Sequence, residues 1–240
     1  KNLFMAWEEF LCGKRKRKDV MEFAMDLSKN IFDLHLHLKR NTYVHGPYKA
    51  FNISDPKPRR IHKAMVHDRL LHHAIYRILY PFFEKRFIYD SYSCRDRKGT
   101  HSAVNRFLKH YRRASNNNRK TCWVLKCDIK KFFDSIDHAR LFETVARHGV
   151  DMDTMSLIKK VVESFSSGLS GKGLPLGNLT SQLLVNIYMN EFDQFMKHKI
   201  KEKYYIRFAD DFIVINMDRE ALKSTLEKIR NFLKGNLLLN

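Results

Sequence analysis

Cysteine is scarce in this chain, with Cys12, Cys94, Cys122 and Cys127 the only four in 240 residues. They are scattered and form no CxxC pair, which excludes a disulfide scaffold and argues against a cysteine-based zinc site. Such usage fits a reducing cytoplasm. Acidic residues are few beside basic ones, 26 against 45, leaving a formal charge of +19. A surplus of that size points to a polyanionic partner, either nucleic acid or an anionic membrane face. No run of about 18 uninterrupted apolar residues occurs, so a spanning helix is not expected. The N-terminus lacks the basic-then-apolar layout of a signal peptide, and a start at Lys1 rather than Met is what a trimmed chain would show. Apolar residues at 44% and charged residues at 30% exclude wholesale disorder. The length allows one large domain or two interlocked ones. The twelve histidines include His72-His73 and His35-Leu36-His37. Neither arrangement sets two imidazoles at i, i+4, so surface or polar-network roles are expected rather than metal ligation.

Hydrophobic periodicity predicts a helix over 19–39 with Asp19 as N-cap, preceded by the basic run Lys14-Arg15-Lys16-Arg17-Lys18. That run is either a solvated end or a phosphate contact. An extended hairpin is predicted over 47–61, and a helix over about 64–80, at whose end Pro81 stops it or starts the next turn. The stretch 109–120, centred on Asn116-Asn117-Asn118, reads as a basic loop. Trp123-Val124-Leu125-Lys126-Cys127 reads as a strand ending at Asp128. Helices are predicted at 138–148, capped by Asp137, at 151–165 and at 179–200. Tyr204 to Phe208 and Phe212 to Ile215 read as a hairpin turning at Asp210-Asp211. Asp218 caps a final helix. The fold class is α+β, helices supporting a small antiparallel sheet.

Asp128 ends one apolar strand, and Asp210 with Asp211 sits at the tip of an apolar hairpin. Acids at the ends of neighbouring strands repel one another and call for cations. Oxygen ligands with open positions suit Mg2+, and two such ions about 3.5–4 Å apart are the clamp used for in-line phosphoryl transfer. Alone, Asp-Asp is an ordinary turn dipeptide. Its setting between two aromatic and β-branched runs, with a partner strand ending in Asp128, favours the metal reading.

Phe208-Ala209-Asp210-Asp211 resembles the aromatic-x-Asp-Asp signature of reverse transcriptases, with Phe where Tyr is usual. Leu125 to Ile136 (LKCDIKKFFDSI) is similar to the first palm motif of that family, and Gly173 to Gln182 (GLPLGNLTSQ) to its second. Lys57-Pro58-Arg59-Arg60-Ile61 and Ser91 to Arg95, continuing to Gly99-Thr100-His101, resemble its fingers motifs. The resemblance implies a right-hand polymerase, with fingers over 1–120 and 139–175 and an incomplete palm over 121–138 and 176–240. The family's thumb follows the point where this chain ends, so a thumb is expected to be absent.

The resemblance also implies roles. Asp128, Asp210 and Asp211, with the backbone carbonyl of Ile129, would hold two Mg2+ ions, with Mn2+ as a substitute. Lys57 and Arg59 would grip the triphosphate. Phe133 would stand beneath the sugar as a steric gate, its alternative being plain core packing beside Phe132. Leu176, Gly177 and Gln182 would lie at the incoming nucleotide or nascent pair, Gln182 having a helix-start role as its alternative. The partners implied are an RNA template, a DNA or RNA primer, dNTPs and a small basic oligomeric accessory protein, with no membrane. The basic segments Lys14–Lys18, Lys109–Lys120 and Lys197–Lys203 would flank the nucleic acid. The second motif reads Leu176-Gly177 and ends in Ser181-Gln182, where intron and retron enzymes read Gln-Gly and end in Ser-Pro. That variant resembles the error-prone enzymes of diversity-generating retroelements. The alternatives are a defence-associated or group II intron-like enzyme and, from another class, a catalytically silent RNA-binding scaffold.

Overall fold

The computed structural model describes residues 1–54 and 58–240. Asp55, Pro56 and Lys57 lie outside the described residues, and with them the expectation placed on Lys57. Along the chain run α1 (Asn2–Phe10), α2 (Lys18–Met25), α3 (Leu27–Lys39), β1 (Lys49–Ser54), β2 (Pro58–Lys63) and α4 (Val66–Glu84). They are followed by α5 (Thr100–Ala114), β3 (Trp123–Cys127), α6 (Phe132–Ser135), α7 (His138–Arg147) and α8 (Met152–Glu163). The last are α9 (Leu179–Gln194), a π-helical turn (Phe195–Lys199), β4 (Tyr205–Phe208), β5 (Asp211–Asn216) and α10 (Arg219–Asn236). No helix of the described residues is long and apolar enough to cross a membrane.

The chain divides into two compact units, one of Lys1–Phe82 with Val145–Leu183, the other of Phe83–Thr144 with Leu184–Asn240. The first is a helical core carrying a two-stranded hairpin. Trp7, Phe10, Val20, Ile31, Leu34, Leu70, Leu71 and Ile158 are buried in it, Trp7 lying 5.6 Å from Phe10 and 5.3 Å from Phe23 between ring centroids. The antiparallel hairpin sets Phe51 opposite Ile61 and Ile53 opposite Arg59. All six residues of β1 are exposed.

In the second unit β5 is the central strand of a three-stranded antiparallel sheet ordered β3-β5-β4. Its burial alternates, Phe212 and Val214 inside, Asp211 and Ile213 half-buried, as a strand with one face on a core requires. Helices α9 and α10 supply that core. Phe192 packs on Phe212 at 4.9 Å and on Tyr205 at 5.8 Å, and Phe195 stacks on Phe232 at 4.1 Å.

Several expectations are corrected. The helix expected over 19–39 is two, broken at Asp26, which leaves helical geometry at φ −115°, ψ 38°. Asp19 is not the cap; Arg17 holds that position, and Asp19 instead pairs with Lys63 at 2.6 Å and with Arg69. Pro81 does not stop α4, which runs on to Glu84. A mid-helix proline forfeits one hydrogen bond and costs about 3 kcal/mol, and complete burial of Phe83 just beyond it works against that loss. The first half of the 109–120 loop belongs to α5, whose dense Arg and Lys content hid an amphipathic helix. The loop begins after it, and Asn116, Asn117 and Asn118 all take left-handed φ of 48°, 55° and 65°, which asparagine tolerates better than most residues. The caps at Asp137 and Asp218 are present: Asp137 accepts from the Arg140 amide at 3.0 Å, and Asp218 from Glu220 and Ala221.

A candidate active site at the β4–β5 hairpin

The turn itself differs from the expected one. Phe208 pairs with Asp211, so the two loop residues are Ala209 and Asp210, and Asp211 is the first residue of β5. Ala209 has φ +55°, the sign that the mirror-image turns of tight hairpins need at their first loop position. A residue with a Cβ holds that conformation only where its surroundings impose it.

Arg207 imposes it. This side chain is 1% exposed and makes five hydrogen bonds. It donates to both carboxylate oxygens of Asp193 at 2.8 and 2.7 Å, to Asn186 at 3.3 Å, to Ser91 Oγ at 3.2 Å and to the Ala209 carbonyl at 3.0 Å. Burial works against its charge, but the Asp193 carboxylate more than offsets it, so the guanidinium pKa is raised. Tyr205, two residues earlier on the same face, donates to Asp193 at 2.7 Å. The Arg207 backbone is held as well: its amide donates to Asp90 O at 2.9 Å and its carbonyl accepts from Tyr92 N at 3.0 Å. The segment around Ser91, expected as a fingers motif, thus covers the outer edge of β4 in this unit. Strand β4 alternates so that Arg207 lies opposite the buried Phe212 and Phe208 opposite Asp211. The acid therefore sits on one face of the sheet and the network that braces its turn on the other.

On the other side of β5, Cys127 pairs with Phe212. One step further along each strand stand Asp128 and Asp211, so the sheet brings them to one end, with Asp210 in the adjoining turn. Asp128 is exposed, and Asp210 and Asp211 are half-buried. Among the described residues no three His, Cys, Asp or Glu side chains are grouped closely enough to hold a metal ion. The donor chemistry of the three carboxylates, all hard oxygens, nonetheless fits Mg2+. Ile129 is buried at the start of the loop after β3, where the Lys130 amide donates to Asn240 O at 3.1 Å. Lys131 then turns the chain at φ +48° into α6. In α6 Phe132 is buried, and Phe133 is half-buried with its ring edge-on to Phe132 at 5.6 Å.

The remaining candidates belong to the first unit. Arg59 and Arg60 are exposed on β2. The Leu176 carbonyl accepts from the His62 amide at 3.0 Å, which ties the second motif to the hairpin. Gly177 has φ +98°, and a Cβ there would stand 2.7 Å from Ile61 Cγ2. Glycine is thus required by packing and backbone alike. Gln182 lies in the first turn of α9, which begins at Leu179, and donates its amide to Asn178 O at 3.3 Å. In the second unit Lys197, expected in a basic segment flanking the nucleic acid, is turned to Asp90 at 3.3 Å.

Sequence reasoning missed Arg207, Asp193, Asn186 and Ser91. The signal was present: an arginine inside the apolar strand Tyr205-Ile206-Arg207-Phe208 requires a buried acid to face it.

The chain is 27% identical to protein YkfC of Escherichia coli over 223 residues, covering 78% of this chain and 58% of that protein. It is 27% identical to the group II intron-encoded protein LtrA of Lactococcus lactis, covering 84% of this chain and 34% of that protein. The chain therefore spans only about a third to just over half of these relatives. Apo telomerase from Candida tropicalis, truncated from its C-terminal domain, shares the fold at TM-score 0.56 and 15% identity, over 88% of this chain and 53% of that one. Residues 53–238, which contain the strand ends, the braced hairpin and the Gly177 motif, match the reverse transcriptase (RNA-dependent DNA polymerase) family, and the chain belongs to that family.

Proposed function

We propose that the protein is an RNA-directed DNA polymerase that extends a DNA or RNA primer on an RNA template with dNTPs. In this reading 1–120 and 139–175 act as fingers, and 121–138 and 176–240 as palm. The observation that carries it is the register that sets Asp128 and Asp211 one step beyond the Cys127–Phe212 pair, with Asp210 in a braced turn beside them. Asp128, Asp210, Asp211 and the Ile129 carbonyl would hold Mg2+, which when bound supplies activation of the primer 3′-hydroxyl and charge neutralisation at the leaving pyrophosphate. Arg59, exposed on β2, binds the triphosphate through charge-assisted contacts. Primer extension on RNA by the protein at its naturally expressed length tests the reading, and absence of dNTP-dependent extension overturns it.

Phe133 shapes the sugar site. Its half-buried ring packs edge-on against the buried Phe132, so its position is set while part of it stays open. Phe133→Ala is expected to raise incorporation of ribonucleotides relative to deoxyribonucleotides roughly ten- to hundredfold. An unchanged ratio would return Phe133 to core packing.

Leu176 supports an error-prone enzyme of the diversity-generating kind. Its backbone is fixed by the bond to His62, and an aliphatic side chain offers no polar check on the nascent pair. One such check is worth about 1–3 kcal/mol, or roughly ten- to a hundredfold in discrimination. Sequenced cDNA from a defined RNA is expected to carry frequent errors, mostly opposite adenine, and Leu176→Gln to restore part of the accuracy. Accurate copying that Leu176→Gln leaves unchanged would favour an intron-like enzyme.

A further inference from the structure

The first unit contains a cavity of about 220 Å3 lined by Lys14, Arg69, His72, Asn178 and Gln182, with Phe10, His73, Gly177 and Leu179 completing its wall. Three polar atoms of its lining have no hydrogen-bond partner: Arg69 Nε, His72 Nδ1 and Asn178 Oδ1. His72 is 1% and Asn178 2% exposed. Buried polar atoms left unpaired in a native fold call for an explanation.

The hydrogen bonds around them decide what each atom offers. His45 Nδ1 lies 2.7 Å from the Gly46 carbonyl, which only accepts, so in neutral His45 the proton is on Nδ1. Its Nε2 then accepts from His72 Nε2 at 3.2 Å. Burial pulls the His72 pKa down to about 3. The ring is therefore neutral, and Nδ1 is left as a bare acceptor. Asn178 Nδ2 donates to the His62 carbonyl at 2.8 Å, which leaves Oδ1 as a second acceptor. Arg69 binds Asp19 through Nη2 and keeps Nε–H as a donor. Lys14 brings a cation, its ammonium held near the Phe10 carbonyl at 3.1 Å.

Two acceptors, one donor and a cation do not describe an anion site. A phosphodiester has no hydrogen to give to His72 or Asn178. A hydroxyl next to a phosphate meets one acceptor, the donor and the cation together, since a 2′-hydroxyl both donates and accepts. The volume is below the roughly 300–1,000 Å3 of pockets for drug-sized ligands and far above the roughly 30 Å3 of one water. It suits a single sugar with its phosphate.

We propose that this cavity is a ribose-reading site for an RNA strand. His72 Nδ1 or Asn178 Oδ1 accepts from a 2′-hydroxyl, Arg69 Nε donates to the same oxygen, and Lys14 neutralises the adjoining phosphate. The strand is the template, an identification that rests on the polymerase reading above; the sugar preference does not.

The test is fluorescence-anisotropy binding of one single-stranded sequence in four forms: RNA, DNA, 2′-fluoro RNA and 2′-O-methyl RNA. The two modified strands keep an RNA-like sugar pucker and lack the hydroxyl hydrogen. RNA is expected to bind roughly tenfold more tightly than the other three. His72→Phe, which keeps the ring and removes both nitrogens, is expected to bring all four to the affinity of DNA. Asn178→Ala provides the same reading if His72→Phe fails to fold. Equal binding of the four strands by the unaltered protein would leave a cavity filled by water and overturn the proposal. A preference that survives in both variants would place sugar recognition elsewhere, and one that follows base sequence alone would make the ligand a base; either result also overturns it. Primer extension without a sugar preference removes this site and keeps the polymerase, while a sugar preference without extension does the reverse.

Discussion

Asp210→Asn is expected to abolish nucleotide incorporation while leaving RNA affinity within about twofold of the unaltered protein. The substitution keeps the size and shape of the side chain and removes its charge. Asp210 is one of two loop residues in a two-residue turn whose other member, Ala209, is anchored through its carbonyl to Arg207, so the backbone there is set by neighbours rather than by the carboxylate. Stabilisation of developing charge by a correctly ligated metal is worth several kcal/mol. The loss should therefore reach roughly a thousandfold or more in the single-turnover extension rate. Rapid-quench extension on an RNA template, with anisotropy on the same RNA, separates chemistry from binding. Near-normal extension by Asp210→Asn would overturn the assignment of Asp210 to the metal site and to the reaction.

Arg207→Met should cost more in stability than any substitution at the carboxylates. It leaves Asp193 buried without its cation, and removing one partner of a buried pair costs about 3–5 kcal/mol. For a chain of this size that corresponds to a fall of roughly 6–20 °C in the unfolding midpoint. The double variant Arg207→Met/Asp193→Leu should recover much of the midpoint, because neither charge is then stranded. Extension should stay impaired in the double variant, since the Ala209 carbonyl still lacks its donor and the turn carrying Asp210 is no longer held. A double variant that recovered stability and activity together would make the Arg207 network purely structural. Arg207→Lys is a further check: one ammonium cannot reproduce a planar five-donor fork.

Much of the second unit was legible from local rules. Strands β3, β4 and β5 follow from short runs of aromatic and β-branched residues, and the caps at Asp137 and Asp218 from side chains that bond amides two or three residues on. Asp128 at a strand end and Asp210-Asp211 near a hairpin tip were legible for the same reason, because strand ends are local. What failed did so where distant contacts override local preference. Asp19 looks like a cap, yet Lys63 and Arg69 claim it from other elements. Pro81 looks like a stop, yet α4 continues to a buried Phe83. Helix α5 was masked by its own charge, its polar face so basic that the segment resembled a loop.

The same division holds at the functional level. At the level of charge and motif, the sequence by itself determined the net positive charge, the order of the motifs and the placement of Asp128 and of Asp210-Asp211 at strand ends and a hairpin tip, since each depends on residue type and spacing along one strand or turn. Only the tertiary structure decided that the hairpin loop is Ala209-Asp210 rather than Asp210-Asp211, because hydrogen-bond register and not composition sets where a ladder ends. It also decided that Arg207 is locked beneath that loop by Asp193, Asn186 and Ser91. And it brought Lys14, Arg69, His72 and Asn178 from three separate stretches of chain to one cavity. A buried charge or an unpaired acceptor gains its meaning from the atoms around it, and those atoms come from parts of the chain that no local pattern connects.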